Sequence, residues 1–337
     1  MGALTNSIKS KIDRLKWKLA PGRMQRSRLD AAVNLIKNYP ETQFLLQLAT
    51  AEGIKIHFDP KMRNSEAAGM LQTDRETGEK VIALSPDADA QSVALTLIHE
   101  LRHAWQDKVL GITPQTRGKS EPDVETTIIL NRVREADAYA FTNLIVRRMQ
   151  AAAEDDVEAR GMVEKLQKRT GGKPPDQFQL EMISEYMTEK FISRIDVDHQ
   201  EMVLDFAWAL RNFDSYDRRA LVDYHARYTS PHYQTEKRPE MGQPFGLGDI
   251  RKMLVMGIAP NMPAYLGKVP DELFRQAVLQ DMTPSMKNAM GLIKEFEKVA
   301  KRGISQRDNQ QYRTEIETTL SKAVNAPPAP HTEPRFG

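Results

Sequence analysis

Between Ala90 and Leu110 the chain carries apolar residues at helical spacing, with two histidines set four apart among them, and this stretch restricts the possible folds most. Val93, Ala94, Leu97, Ile98, Leu101, Ala104 and Trp105 make a stripe too broad for a helix left in water, so the segment predicts one helix packed against other elements. Ser85 to Asp89 supplies the Ser, Pro and Asp that suit a helix N-terminus, and Leu110-Gly111 supplies the stop. Just upstream the period changes. Ile54-Lys55-Ile56-His57-Phe58 alternates as a strand with Ile54, Ile56 and Phe58 on one face, which leaves His57 on the other as a solvated or structural residue. Gly69–Thr73 and Lys80–Leu84 read as two further strands joined by the polar turn Asp74-Arg75-Glu76-Thr77-Gly78. The expected class is α+β, mainly α, with a small antiparallel sheet packed on the histidine-bearing helix.

Beyond Gly111 the pattern is almost wholly helical. Helices are predicted over about 122–154, 155–169, 177–194, 198–212, 216–227, 248–256, 270–279 and 284–302, with Gly- and Pro-rich loops between several of them. The expected organisation is a basic N-terminal pair of helices (1–40), a core (41–154), a helical C-terminal region (155–304) and a flexible tail (305–337). Residues 1–39 hold nine Lys or Arg against Asp13 and Asp30 alone. Such a segment suits a membrane-surface or nucleic-acid patch, or else a helix packed on the core with a solvated basic face, and the last is the commoner arrangement.

Net charge is +2, from 48 basic and 46 acidic residues, so no general attraction for nucleic acid is expected. No apolar run reaches the roughly 20 residues needed to span a bilayer, and the N-terminus lacks the apolar core of a secretory signal; a cytoplasmic location is the expectation. There is no cysteine, so any metal site must be built from His, Asp and Glu.

The run His99-Glu100-Leu101-Arg102-His103 has the right form for such a site. Histidines four apart lie one turn above each other on a helix, and their imidazoles can converge on one Zn2+ ion. Glu100, one residue after the first histidine, projects from an adjacent part of the cylinder and can act as a general base on water. This is a metalloprotease signature.

A catalytic zinc site needs a third protein ligand. The stretch Arg134-Glu135-Ala136-Asp137-Ala138-Tyr139-Ala140, on the next predicted helix, offers two carboxylates on a surface whose alanines permit close helix packing. Two residues apart on a helix is about 200° of rotation, so only one of them can face the metal. Glu135 has the longer reach and is the expected ligand; Asp137 is left as a hydrogen-bonding or structural group, or as the alternative ligand. A salt bridge of Glu135 with Arg132 or Arg134 is the competing possibility. For a developing oxyanion, Tyr139, His225, Tyr228 and His232 are available, with none singled out.

The runs from Leu97 to Gln106 and from Arg134 to Ala140 resemble bacterial metallopeptidases of the gluzincin type, closest to a metallopeptidase domain family catalogued as a domain of unknown function. They are more distantly similar to peptidases that cleave phage-type repressors and to CAAX-type peptidases. The resemblance spans about residues 50–150. It implies a small sheet before the zinc helix, a glutamate from the next helix as third ligand, a peptide or protein substrate, and a substrate-pairing role for the strand Lys80–Leu84. The chain departs from several relatives, which place the ligand glutamate four residues before the Asp or Asn; Val133 stands there in this chain. The reading that keeps zinc without chemistry, a zinc-binding helical interaction protein, finds no use for a carboxylate at position 100.

Overall fold

The computed structural model describes residues 23–63, 68–73, 77–110, 123–152, 205, 206, 209, 217, 220–224, 279, 282–301 and 306–325. The helices predicted over 155–169, 177–194 and 248–256 lie outside these residues, as does the amphipathic segment before residue 23. Helices α1 (Arg23–Ile36) and α2 (Pro40–Ala51) lead into strand β1 (Lys55–Phe58), and β2 (Gly69–Thr73) and β3 (Lys80–Leu84) follow. Then come α3 (Ala90–Trp105), α4 (Val124–Ala152), α5 (Pro284–Lys301) and α6 (Gln306–Asn325).

Local chemistry sets the boundaries. The end of α2 is closed by Gly53, at φ 65°, with Gly53 N–H donating to Thr50 O and Ile54 N–H to Ala49 O. A side chain at Gly53 would be strained in that left-handed conformation. At the start of α3, Asp89 accepts from Ser92 N–H at 2.8 Å, as the Ser-Pro-Asp composition predicts.

The expected class holds, with one change to the sheet. β2 and β3 form the predicted antiparallel hairpin, but β1 pairs with β3 in parallel, so the sheet is mixed with order β1-β3-β2. Alternation along a strand assigns its two faces and says nothing of direction or neighbours. Here β3 carries Ile82, Ala83 and Leu84, all buried, and takes the centre. A central strand has no free edge. The substrate-pairing role expected for Lys80–Leu84 is therefore not open to it, and the edge on the hairpin side belongs to β2.

The main core joins α1, α2, the sheet, α3 and most of α4. Helix α1 belongs to it through Leu29, Ala32, Val33 and Ile36, and its Arg28 donates to the carbonyls of Pro86 and Ala88. Packing is thus continuous across the boundary expected at residue 40. A second core gathers Val124 and Ile128 from the first turns of α4, Leu221, Tyr224, and residues of α5 and α6. Residues 306–325, expected within a flexible tail, are helical, and Ile316 and Leu320 at i, i+4 seat α6 on this core.

Candidate metal centre

Helix α3 is buried on nearly all sides from Val93 to Trp105. Its α-helical winding ends at Trp105 and a π-helical turn, Gln106–Leu110, completes the segment predicted as one helix. Helix α4 packs against it, and the alanines of the Glu135 segment, Ala136, Ala138 and Ala140, are all fully buried.

Three of the predicted residues meet at this contact. Glu135 Oε2 lies 3.2 Å from His99 Nε2, and Glu135 Oε1 3.3 Å from His103 Nε2. The two Nε2 atoms are 3.1 Å apart. A tetrahedral ion with bonds of about 2.0–2.1 Å separates its ligand atoms by about 3.3–3.4 Å. Two imidazoles and a carboxylate turned inward at such distances require protons or a cation among them, and the donor set matches a catalytic zinc site. Among the described residues, this is the group of His and carboxylate side chains placed to hold a metal ion. The side chains of His99 and Glu135 retain 15% and 18% of their exposure, so the cluster has one face open to solvent.

The alternative partners of Glu135 are otherwise engaged. Arg132 pairs with Asp217 and Arg134 with Asp107. Asp137 faces α3 but not the cluster: it takes a two-pronged bond from Arg102, Nε at 2.7 Å and Nη2 at 2.9 Å, and accepts from Gln106 Nε2 at 2.6 Å. Arg102 is wholly buried, with its guanidinium 3.7 Å from the Trp105 ring centre. Burial pushes its pKa down, and the charge and hydrogen bonds of Asp137 oppose that.

Glu100 is buried beside the histidines, and its Oε2 accepts from the Leu71 N–H of β2 at 2.7 Å. Gly69 lets the strand come this close: a Cβ there would stand 2.3 Å from Thr96 Cγ2. For His103, burial opposes the charged form, but Glu135, by charge and hydrogen bond, and then Glu100 outweigh it and raise the pKa to about 9. Burial acts on Glu135 in the raising direction; His103 and His99 overcome it and hold the carboxyl well below the usual range.

Of the oxyanion candidates, Tyr139 packs edge-on against His99 with ring centres 4.9 Å apart. His225, Tyr228 and His232 lie outside the described residues. Sequence reasoning assigned no role to Gln106 or to the Leu71 amide. The first could have been found from its i, i+3 spacing after His103; a main-chain N–H leaves no mark in a sequence.

Residues 14–161 match a family described as "Putative metallopeptidase family (DUF6782)". The match takes in the whole span on which the metallopeptidase resemblance rests. Neither a curated protein nor a solved structure matches the chain.

Proposed function

We propose that the chain is a zinc-dependent peptidase, with His99, His103 and Glu135 as metal ligands and Glu100 as general base: the matched family carries a metallopeptidase description, and two histidines, a glutamate and a neighbouring carboxylate suit zinc-assisted peptide hydrolysis. The observation that carries the reading is the meeting of three donor side chains from two helices, their nearest atoms 3.1–3.3 Å apart, with a carboxylate beside them that is not part of the group. When bound, zinc would polarise the scissile carbonyl and lower the pKa of water toward neutrality.

The remaining work belongs to the protein. Glu100 takes a proton from the attacking water and returns it to the leaving amine. The Leu71 N–H fixes one carboxylate oxygen, so the proton is received on the other. The strand that supplies this amide is the sheet edge nearest the catalytic group, which makes β2 the main chain against which an extended peptide would lie. Peptide or protein is accordingly the proposed substrate.

The test pairs metal analysis with cleavage. Wild type should bind one equivalent of zinc and cleave members of an unbiased peptide library. Glu100→Gln should keep the zinc and lose about 10²–10⁴-fold in rate. Cleavage by that variant at the wild-type rate would remove Glu100 from the mechanism, and wild-type protein without affinity for zinc would remove the reading altogether.

A further inference from the structure

Histidine offers two ring nitrogens, and only one that carries a lone pair can bind a metal. In His103 the choice is made by a chain of hydrogen bonds whose direction can be read without ambiguity. Gln106 Nε2 lies 2.9 Å from the carbonyl oxygen of Arg134 and 2.6 Å from Asp137 Oδ2. A carbonyl accepts only, and Asp137 is bound in a two-pronged ion pair by Arg102, so it accepts too. The Gln106 amide must therefore present its NH2 to these two oxygens and its carbonyl to the other side. There Oε1 meets His103 Nδ1 at 2.8 Å, and an amide oxygen can only accept. Nδ1 consequently carries a proton, and Nε2, the atom 3.1 Å from His99 Nε2, is the one turned to the donor cluster.

We infer that Gln106 is the positioning residue for His103, holding Nδ1–H so that Nε2 serves the cluster, and that the buried Arg102–Asp137 pair acts on the site through Gln106. The inference rests on the proposed metal-binding reading for its consequence, though not for its geometry. Arg102 is anchored between Trp105 and Phe141, with ring centres at 3.7 and 4.8 Å, so it fixes Asp137, and Asp137 fixes Gln106. Reversing the amide would set its oxygen against two acceptors, at a cost of two buried hydrogen bonds. The π-helical turn that begins at Gln106 is where the backbone leaves regular winding to make this contact. A carboxylate is the more familiar partner for a ligand histidine. Here the carboxylate stands one residue further out, with a neutral amide between.

The experiment uses the full chain labelled with 15N-histidine. In wild type, His103 Nδ1 should show a directly bonded proton protected from exchange, in chelator-treated and zinc-loaded protein alike. Gln106→Met, which keeps the length and loses the acceptor, should expose that proton to exchange and weaken zinc binding by about 10–100-fold in a chelator competition. Asp137→Asn should weaken it in the same direction, because its amide can present NH2 to Gln106 and release the glutamine to turn. An unprotonated Nδ1 in wild type overturns the inference whatever the variants do, and so does unchanged zinc affinity in a folded Gln106→Met. Should wild type show the Nδ1 proton but fail to bind zinc, the orientation stands and the metallopeptidase reading falls.

Discussion

His103 and Glu135 hold each other in the charged forms that burial alone would forbid, and this gives the site a pH signature. His103 has its pKa raised to about 9, so its contribution to stability is fully present below its unfolded value of about 6.5 and is lost as pH rises through 9. Glu135 is depressed, so its share is present above about pH 4.3 and lost on acidification. Both describe one ion pair, strongest between those limits. Protein stripped of metal should therefore lose melting temperature between pH 6.5 and 9, and His103→Asn should lack that loss. On the proposed reading zinc would take the place of the proton, so the loaded protein should hold its melting temperature across the same window. Scanning fluorimetry on the three samples decides it; parallel curves for stripped wild type and His103→Asn would refute the pairing.

Among the elements, the approach of β2 to α3 matters most to the proposed chemistry, because it delivers the Leu71 amide to Glu100. Gly69 makes that approach possible, since an added methyl would overlap Thr96 Cγ2 and crowd the Ala83 carbonyl, 3.2 Å away. Gly69→Ala should destabilise the fold by about 1–3 kcal/mol. Thr96→Ser removes the offending methyl and should recover part of the loss in the double variant, as read from denaturant midpoints. Additive losses would mean that the strand and helix do not meet as described. The predicted bounds of β2 and β3 match the observed ones, because a glycine turn between two short alternating runs is a local signal. The order of the sheet was not legible: a centre position depends on how much surface other elements can cover.

At the scale of the whole molecule, α4 serves two cores. Its first turns lie with α5, α6, Leu221 and Tyr224, and its later turns carry Glu135 and pack on α3 and the sheet. The joint is strongly polar. Arg132 and Asp217, both almost wholly buried, form an ion pair, and Glu297 accepts from the Val124 N–H at the start of α4 and from the Tyr224 hydroxyl. Removing the carboxylate takes a counter-charge from a buried guanidinium, so Asp217→Ala should cost about 3–5 kcal/mol in a denaturant titration. A loss below 1 kcal/mol would show that the charge of Arg132 does not depend on Asp217. No helix among the described residues is long and apolar enough to cross a membrane.

What the sequence determined by itself is what repeats within a few residues: the buried helix, its two imidazoles on one face, and the hairpin. Periods of 3.6 and 2 convert directly into faces, and faces into burial. The third member of the cluster was legible only as a choice between Glu135 and Asp137, because the rotation of α4 about its own axis is set by what it packs against. Tertiary structure turned Glu135 inward, gave Asp137 to Arg102, put a glutamine between that pair and His103, and seated a polar helix where a tail was expected. Each of these depends on which buried charge or apolar pair finds its partner across a long loop, and spacing along the chain carries no record of that.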